Sequence, residues 1–206
     1  MFYRVHYLTL LVLGFWLHSS YGECPTGFVE INNSICMIGF EEQLNFCDAN
    51  SMCVKEGGKR GLRLHLPGVN APRIPNYMLS NNIIFTSITA LLNRSRLLLD
   101  GWQFGDPGYS GQTIDSRHQT LPWLLGDPNH SAQAIAFYRN GSFVDDPQQN
   151  IKATYLVCEL SSRPLPGSVE RFRKNWPFSL NIFTLLDSEG CFEFYNPVSF
   201  ERCALT

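Results

Sequence analysis

Phe-Cys-Asp-Ala-Asn-Ser-Met-Cys-Val-Lys-Glu-Gly-Gly (46–58) and, far downstream, Tyr-Leu-Val-Cys-Glu (155–159) are the stretches whose reading decides the fold. In the first, Phe46, Ala49 and Cys53 recur at spacings of three and four, which places them on one face of a helix. That helix is expected over Gln43 to Glu56. Gly57-Gly58 is expected to end it, since glycine accepts the left-handed turn that follows a helix. In the second stretch, Thr154 to Glu159 reads as a strand. Each stretch carries a cysteine in its apolar part, Cys53 and Cys158.

The segments around these two set the context. Arg4 and His6 precede an apolar run, Tyr7 to Trp16, that is too short to span a bilayer, and Ser20 and Gly22 are small residues suited to a cleavage site. Residues 1–22 therefore read as a secretory signal, with a membrane anchor as the alternative. No later segment is long and apolar enough for a membrane helix. A formal charge of −2 gives no electrostatic case for nucleic acid. All seven cysteines follow the signal: Cys24, Cys36, Cys47, Cys53, Cys158, Cys191 and Cys203. A secreted chain forms disulfides by default, and an odd number cannot pair completely within one chain. Sequons at Asn32, Asn93, Asn129 and Asn140 fit a glycosylated, exported protein.

Leu62 to Leu66 alternates apolar and polar and reads as a half-buried strand. Pro67 to Pro75 is a loop. Asn76 to Leu92 reads as a second helix, with Leu79, Ile83 or Ile84, Ile88 and Leu91 on one side. Leu97 to Trp102 is a strand, and Gly105 to Thr120 is a long irregular loop of the kind that usually carries function. Ala134 to Tyr138 is a strand, closed by a turn at Arg139-Asn140-Gly141, where an Asn-Gly pair suits a tight hairpin. Residues 161–167 read as a Ser/Pro/Gly linker and 168–206 as a C-terminal extension. In that extension Ser168 to Trp176 suits a short amphipathic helix, and Phe178 to Leu186 and Phe192 to Tyr195 read as short strands.

The order of these motifs resembles the C-type lectin-like domain over Cys24 to Leu160. The helix 46–58 matches its W-x-x-A-x-x-x-C-x-x-x-G-G pattern, and 155–159 its final Y-x-V-C-E. Cys24-Pro-Thr-Gly-Phe28 resembles the opening of the long form. Trp123-Leu-Leu-Gly126-Asp127-Pro128-Asn129 resembles W-x-x-G-E-P-N, and Phe143-Val-Asp145-Asp146 stands where the family has W-N-D. The resemblance implies an α+β fold with two helices, small antiparallel sheets, a long loop region and disulfide staples, over residues 23–160. It implies pairing of Cys53 with Cys158, and makes Cys24 with Cys36 the local pair. Cys191 and Cys203, close together in the extension, are expected to close a small loop. Cys47 is then the odd thiol and a candidate bridge to a second chain; otherwise it pairs with Cys191 or Cys203 and leaves the other free.

In sugar-binding members of that family a calcium ion sits between the long loop and the adjacent strand, and calcium takes six to eight oxygen ligands. The resemblance carries that role to Asp127, Asn129, Asp145 and Asp146, with Pro128 as a cis proline and a mannose-type preference. The match is eroded. Asp127 is one methylene shorter than glutamate, and the place of a further acidic ligand falls on Ala132 or Gln133. Ala134 and Gln149 stand where an inner disulfide belongs, and Asn129 is also a sequon asparagine. Four polar residues on solvated loops are the plain alternative. Trp102, Trp123 and Trp176 are aromatic candidates for sugar stacking, although tryptophan in a small domain is more often core. Arg171, Arg173 and Lys174 suit a solvated helix face. No protease motif surrounds Cys47, and His65, His118 and His130 lack metal spacing. The expectation is thus a secreted, non-enzymatic recognition protein binding an extracellular glycan or protein. Calcium is its one candidate cofactor. A calcium-dependent lectin and, more distantly, an enzyme of unknown type are the alternatives.

Overall fold

A computed structural model describes residues 24–32, 34–91, 97–106, 113–114, 121–161 and 191. Two antiparallel sheets make up the scaffold. One has the order β1-β2-β9-β3, from Val29–Ile31, Ile35–Phe40, Leu156–Leu160 and Leu64–His65. The other has the order β6-β5-β4-β7-β8, from Thr113–Ile114, Trp102–Phe104, Ile84–Thr89, Ile135–Arg139 and Ser142–Asp146. The opening β1–β2 hairpin and the last described strand meet in the first sheet, where β2 pairs with β9 from Met37↔Glu159 to Phe40↔Leu156. The ends of the domain therefore close on each other.

The main helix, α1, spans Phe46–Lys59. Asn45 caps it: its side-chain oxygen accepts from the Asp48 backbone N–H at 2.9 Å, and Asp48 places negative charge at the positive end of the helix dipole. Phe46, Ala49, Cys53, Glu56 and Gly57 form the buried face. The two glycines do not stop the helix. It runs through both and ends where Gly61 takes φ +64° and Leu62 N–H returns to the Gly57 carbonyl at 2.9 Å. Gly57 is needed for closeness instead: a Cβ there would meet Leu62 O at 2.6 Å and Leu64 N at 2.9 Å.

The second helix is far shorter than its sequence suggests. The helix α2 spans Asn76–Leu79 only; Asn81 then turns at φ +64° and β4 begins at Ile84. The apolar residues Ile83, Ile84, Phe85 and Ile88 imitate helical spacing because β4 is buried on both faces. Ile84 and Ile88 join one core cluster and Phe85 the other. A strand covered on both sides loses its alternation and reads as a continuous apolar run. Likewise Leu97 to Gly101 is a turn and the strand starts at Trp102. That tryptophan is 2% exposed, and its indole N–H donates to the Leu98 carbonyl at 2.9 Å.

The strand β7 lies between the two clusters: Ala136 and Tyr138 face one, Ile135 and Phe137 the other. Asn140 and Gly141, both at positive φ, turn it into β8 with Arg139 opposite Ser142. Phe46 on α1 meets Phe85 on β4 edge-on at 5.6 Å and ties the helix to the second sheet.

Among the described residues, three disulfides join Cys24 to Cys36, Cys53 to Cys158, and Cys47 to Cys191. The third replaces the expected Cys191–Cys203 loop and removes Cys47 as the odd thiol. The amino end of α1 brings Cys47 beside Gln148, and Cys191 reaches the same place, so the extension is fastened to the domain rather than to itself. Cys203 lies outside the described residues, as do 1–22, the linker after Ser161, the helix and strands expected in the extension, and most of the 105–120 loop. Ser161 itself is buried, and its N–H donates to the Arg63 carbonyl at 2.9 Å, prolonging the β3–β9 edge.

Candidate functional site

The loop over 121–130 is tied to β8 by its backbone. Phe143 N–H donates to the Pro122 carbonyl and Leu124 N–H to the Phe143 carbonyl, both at 2.8 Å. Trp123 packs between Trp102, with centroids 4.9 Å apart, and Phe143, at 6.0 Å. Trp102 is thus buried in packing and Trp123 is half-buried against it; Trp176 lies outside the described residues. Beyond Trp123 the chain turns at Gly126, φ +99°, into a cis Asp127–Pro128 bond.

This geometry brings Asp127, Asn129 and Asp145 together. The Asn129 backbone N–H donates to Asp145 Oδ2 at 3.2 Å, and the Asn129 amide donates to Asp127 Oδ1. Asp146 does not join them. Burial along β8 alternates, with Phe143 and Asp145 buried and Val144 and Asp146 half-buried, so adjacent side chains project to opposite faces. Burial lifts the Asp145 carboxyl to about 6; the negative charge of Asp127 adds to this, and the Asn129 N–H opposes it. Burial also raises the Asp146 carboxyl. Asp145 Oδ1 is buried without a hydrogen-bond partner among the described residues.

Of the four candidate ligands, three converge and one lies on the other face of β8. Asp127 and Asn129 satisfy each other, Asp145 holds a backbone amide, and Asp146 points away. Among the described residues no group of three or more His, Cys, Asp or Glu converges to hold a metal. Ala134 is fully buried and Gln149 exposed, and neither residue type can form a disulfide. The buried neighbour is Gln148, whose amide donates to Cys47 Sγ at 2.9 Å. Of the sequon asparagines, Asn32, Asn129 and Asn140 are exposed, and Asn93 lies outside the described residues.

Sequence reading missed what surrounds this loop. Leu97, Leu98, Leu124 and Leu125 are exposed, Leu125 fully, and with Leu121, Trp123 and Pro128 they line an open groove of about 810 Å³. The signal was present in the Leu97-Leu-Leu and Leu124-Leu runs, but leucine runs read first as core.

A second polar cluster sits at the far edge of the first sheet. Asp106, 3% exposed, accepts from Val69 N–H at 3.0 Å and from the Ser87 hydroxyl. Glu159, 6% exposed, accepts from the Asn70 amide at 2.6 Å, and its other oxygen has no partner among the described residues. Burial pushes its carboxyl up to about 7, with the Asn70 hydrogen bond opposing and the Asp106 charge adding. His65 stands opposite Glu159 across the β3–β9 pair, and burial lowers its pKa.

Solved structures with the same architecture include a calcium-independent type II antifreeze protein. It is 14% identical over 69% of this chain and 97% of that one, with a TM-score of 0.50. The carbohydrate-recognition domain of the mouse scavenger receptor C-type lectin is 18% identical over 69% of this chain and 100% of that one, with a TM-score of 0.49. CEL-I from Cucumaria echinata is 16% identical over 68% and 99%, with a TM-score of 0.48. No family model and no curated protein matches the chain. The chain has the C-type lectin-like fold.

Proposed function

We propose that this chain is a secreted, non-enzymatic recognition protein whose lectin-like domain binds a protein surface without calcium. The observation that carries this reading is the leucine groove. Four exposed leucines beside the loop that ends in Asp127–Pro128 offer a partner apolar area at the end where the polar side chains bond to one another. Contiguous exposed apolar surface marks an interaction site more often than chance, and a protein partner supplies matching apolar side chains where a sugar supplies hydroxyls. The leader expected over residues 1–22 and the disulfides between described cysteines favour an extracellular setting. No described helix is long and apolar enough to cross a membrane.

The test is binding of labelled protein to intact cells. Binding is expected to survive chelator and enzymatic deglycosylation, and to fall after surface proteolysis or in Leu124→Asp with Leu125→Asp. Loss with chelator alone would overturn the reading. It would favour the calcium-dependent, mannose-type alternative on Asp127, Asn129, Asp145 and Asp146, which the unpartnered Asp145 Oδ1 supports.

A further inference from the structure

We propose that the basic edge running from the end of α1 onto β3 binds a sulfated polysaccharide of the glycosaminoglycan class. Between Asp48 and Asp100 the sequence holds one acidic residue, Glu56, against Lys55, Lys59, Arg60, Arg63 and Arg73 in the stretch as far as 73. The fold gathers these cations at one edge. Lys55 and Lys59 stand one turn apart on α1, ~6 Å along its axis, and Arg60 caps that helix. Arg63 directly precedes β3, the edge strand of the first sheet. The Arg63 charge reaches His65 on β3, and the Arg73 charge reaches Glu159, which β9 sets opposite His65. Arg63 is half-buried and the other four cations are exposed.

Little in the fold neutralises this edge. Glu56 is 9% exposed and is taken by Lys59 and Arg60 together. Asp106 and Glu159 lie buried behind the edge, bonded to Val69, Ser87 and Asn70. Among the described residues, Lys55, Arg63 and Arg73 make no ion pair. A cation in the last turn answers the helix dipole, but that effect fades within the turn, and Arg63 and Arg73 lie beyond it. No sequon falls between positions 55 and 73, so no attached glycan is rooted in the patch. Clustered like charges repel, and a polyanion laid across them relieves the repulsion while releasing its own counterions. The lysine ammonium groups suit single sulfate oxygens, and the guanidinium of Arg63 or Arg73 can take two oxygens of one sulfate. The disulfides favour an extracellular polysaccharide over an anionic membrane, since anionic lipid is concentrated in the cytoplasmic leaflet. The patch shares no residue with the leucine groove, so it stands independently of the ligand reading above.

The test is binding of the intact secreted protein to immobilised heparin, with chemically desulfated heparin and phosphatidylserine vesicles as comparators. Heparin should bind at low salt, and affinity should fall about tenfold between ~100 and ~250 mM salt, as counterion release by roughly four contacts requires. Desulfated heparin, which keeps its carboxylates, should bind far more weakly. Lys55→Gln with Arg63→Gln and Arg73→Gln should weaken heparin binding by about tenfold or more and lower the salt slope by about two. The double variant Lys55→Gln, Arg73→Gln removes only exposed side chains, so it should keep the parent melting temperature and lose part of the same affinity. Arg139→Gln with Lys152→Gln, outside the patch, should leave binding unchanged. No binding at low salt, equal binding of desulfated heparin, undiminished binding in the triple variant, an equal loss in the Arg139 and Lys152 variant, or vesicle binding as tight as heparin binding would each overturn the proposal.

Discussion

The β1-β2-β9-β3 sheet and the β8 loop end of the other sheet solve the same problem by different means. The first is fixed covalently and by register: the Cys24–Cys36 bridge joins the start of the domain to β2, Cys53–Cys158 pins α1 to β9, and β2 and β9 are almost wholly buried. The loop end is held by backbone hydrogen bonds to β8, by the stack of Trp102, Trp123 and Phe143, and by polar side chains that satisfy one another. What is stapled can afford little change, whereas what is only propped is free to vary its surface. The stapled sheet thus fixes the fold, and the propped loop end is where the surface can change at least cost to it.

The severest way to break the contrast is Cys53→Ala. The bridge spans a sequence separation of 105, and in the chain-entropy model closing such a loop is worth ~4–5 kcal/mol, comparable to the stability of a small domain. Secretion of folded protein should fail; a normal yield with an unchanged melting temperature would show that packing alone holds the sheet. Next is Gly57→Ala. The added methyl meets main-chain atoms that cannot swing aside, so about 2 kcal/mol of stability should be lost, read by denaturant titration. Gly58→Ala, facing open space, should do no harm.

Glu159 sharpens the comparison, because it places a weak point inside the stapled sheet. Its folded pKa, about 7, lies above its unfolded value. Its contribution is therefore fully present below the unfolded pKa and fades as pH rises through 7, when a buried charge must form. Stability should drop by about 1 kcal/mol between pH 6 and pH 8, and Glu159→Gln should flatten the curve. An equal slope in the variant would assign the pH dependence elsewhere. Asp145, with a folded pKa of about 6, has the same sign and acts roughly one unit lower, so Asp145→Asn should flatten the interval from pH 5 to 7. The smallest expected effect is at the groove: Leu125→Ser should change stability by under ~0.5 kcal/mol, since the side chain is fully exposed, while weakening partner binding.

The two regions were also unequally legible. Phe46, Ala49 and Cys53 announced α1 because a helix covered on one face keeps its period. The Asn140-Gly141 turn was legible because few residues adopt its backbone. β4 was hidden for the opposite reason: with both faces buried, Ile84, Phe85 and Ile88 carry no alternation. At the site, the residue types at 127, 129 and 145 were readable, but their mutual hydrogen bonds and the placement of Asp146 on the opposite face of β8 are products of register. The Cys47–Cys191 bridge joins residues 144 positions apart, and nothing local to either cysteine chose between it and the nearer partner.

The stack of Trp102 on Trp123 gives the molecule an optical reporter of its own. Two indoles with centroids 4.9 Å apart and planes inclined at 60° couple their electronic transitions, producing a paired positive and negative band in circular dichroism that a lone indole cannot give. One indole belongs to the sheet and the other to the loop that carries Asp127 and Leu125, so the band pair measures whether that loop is seated.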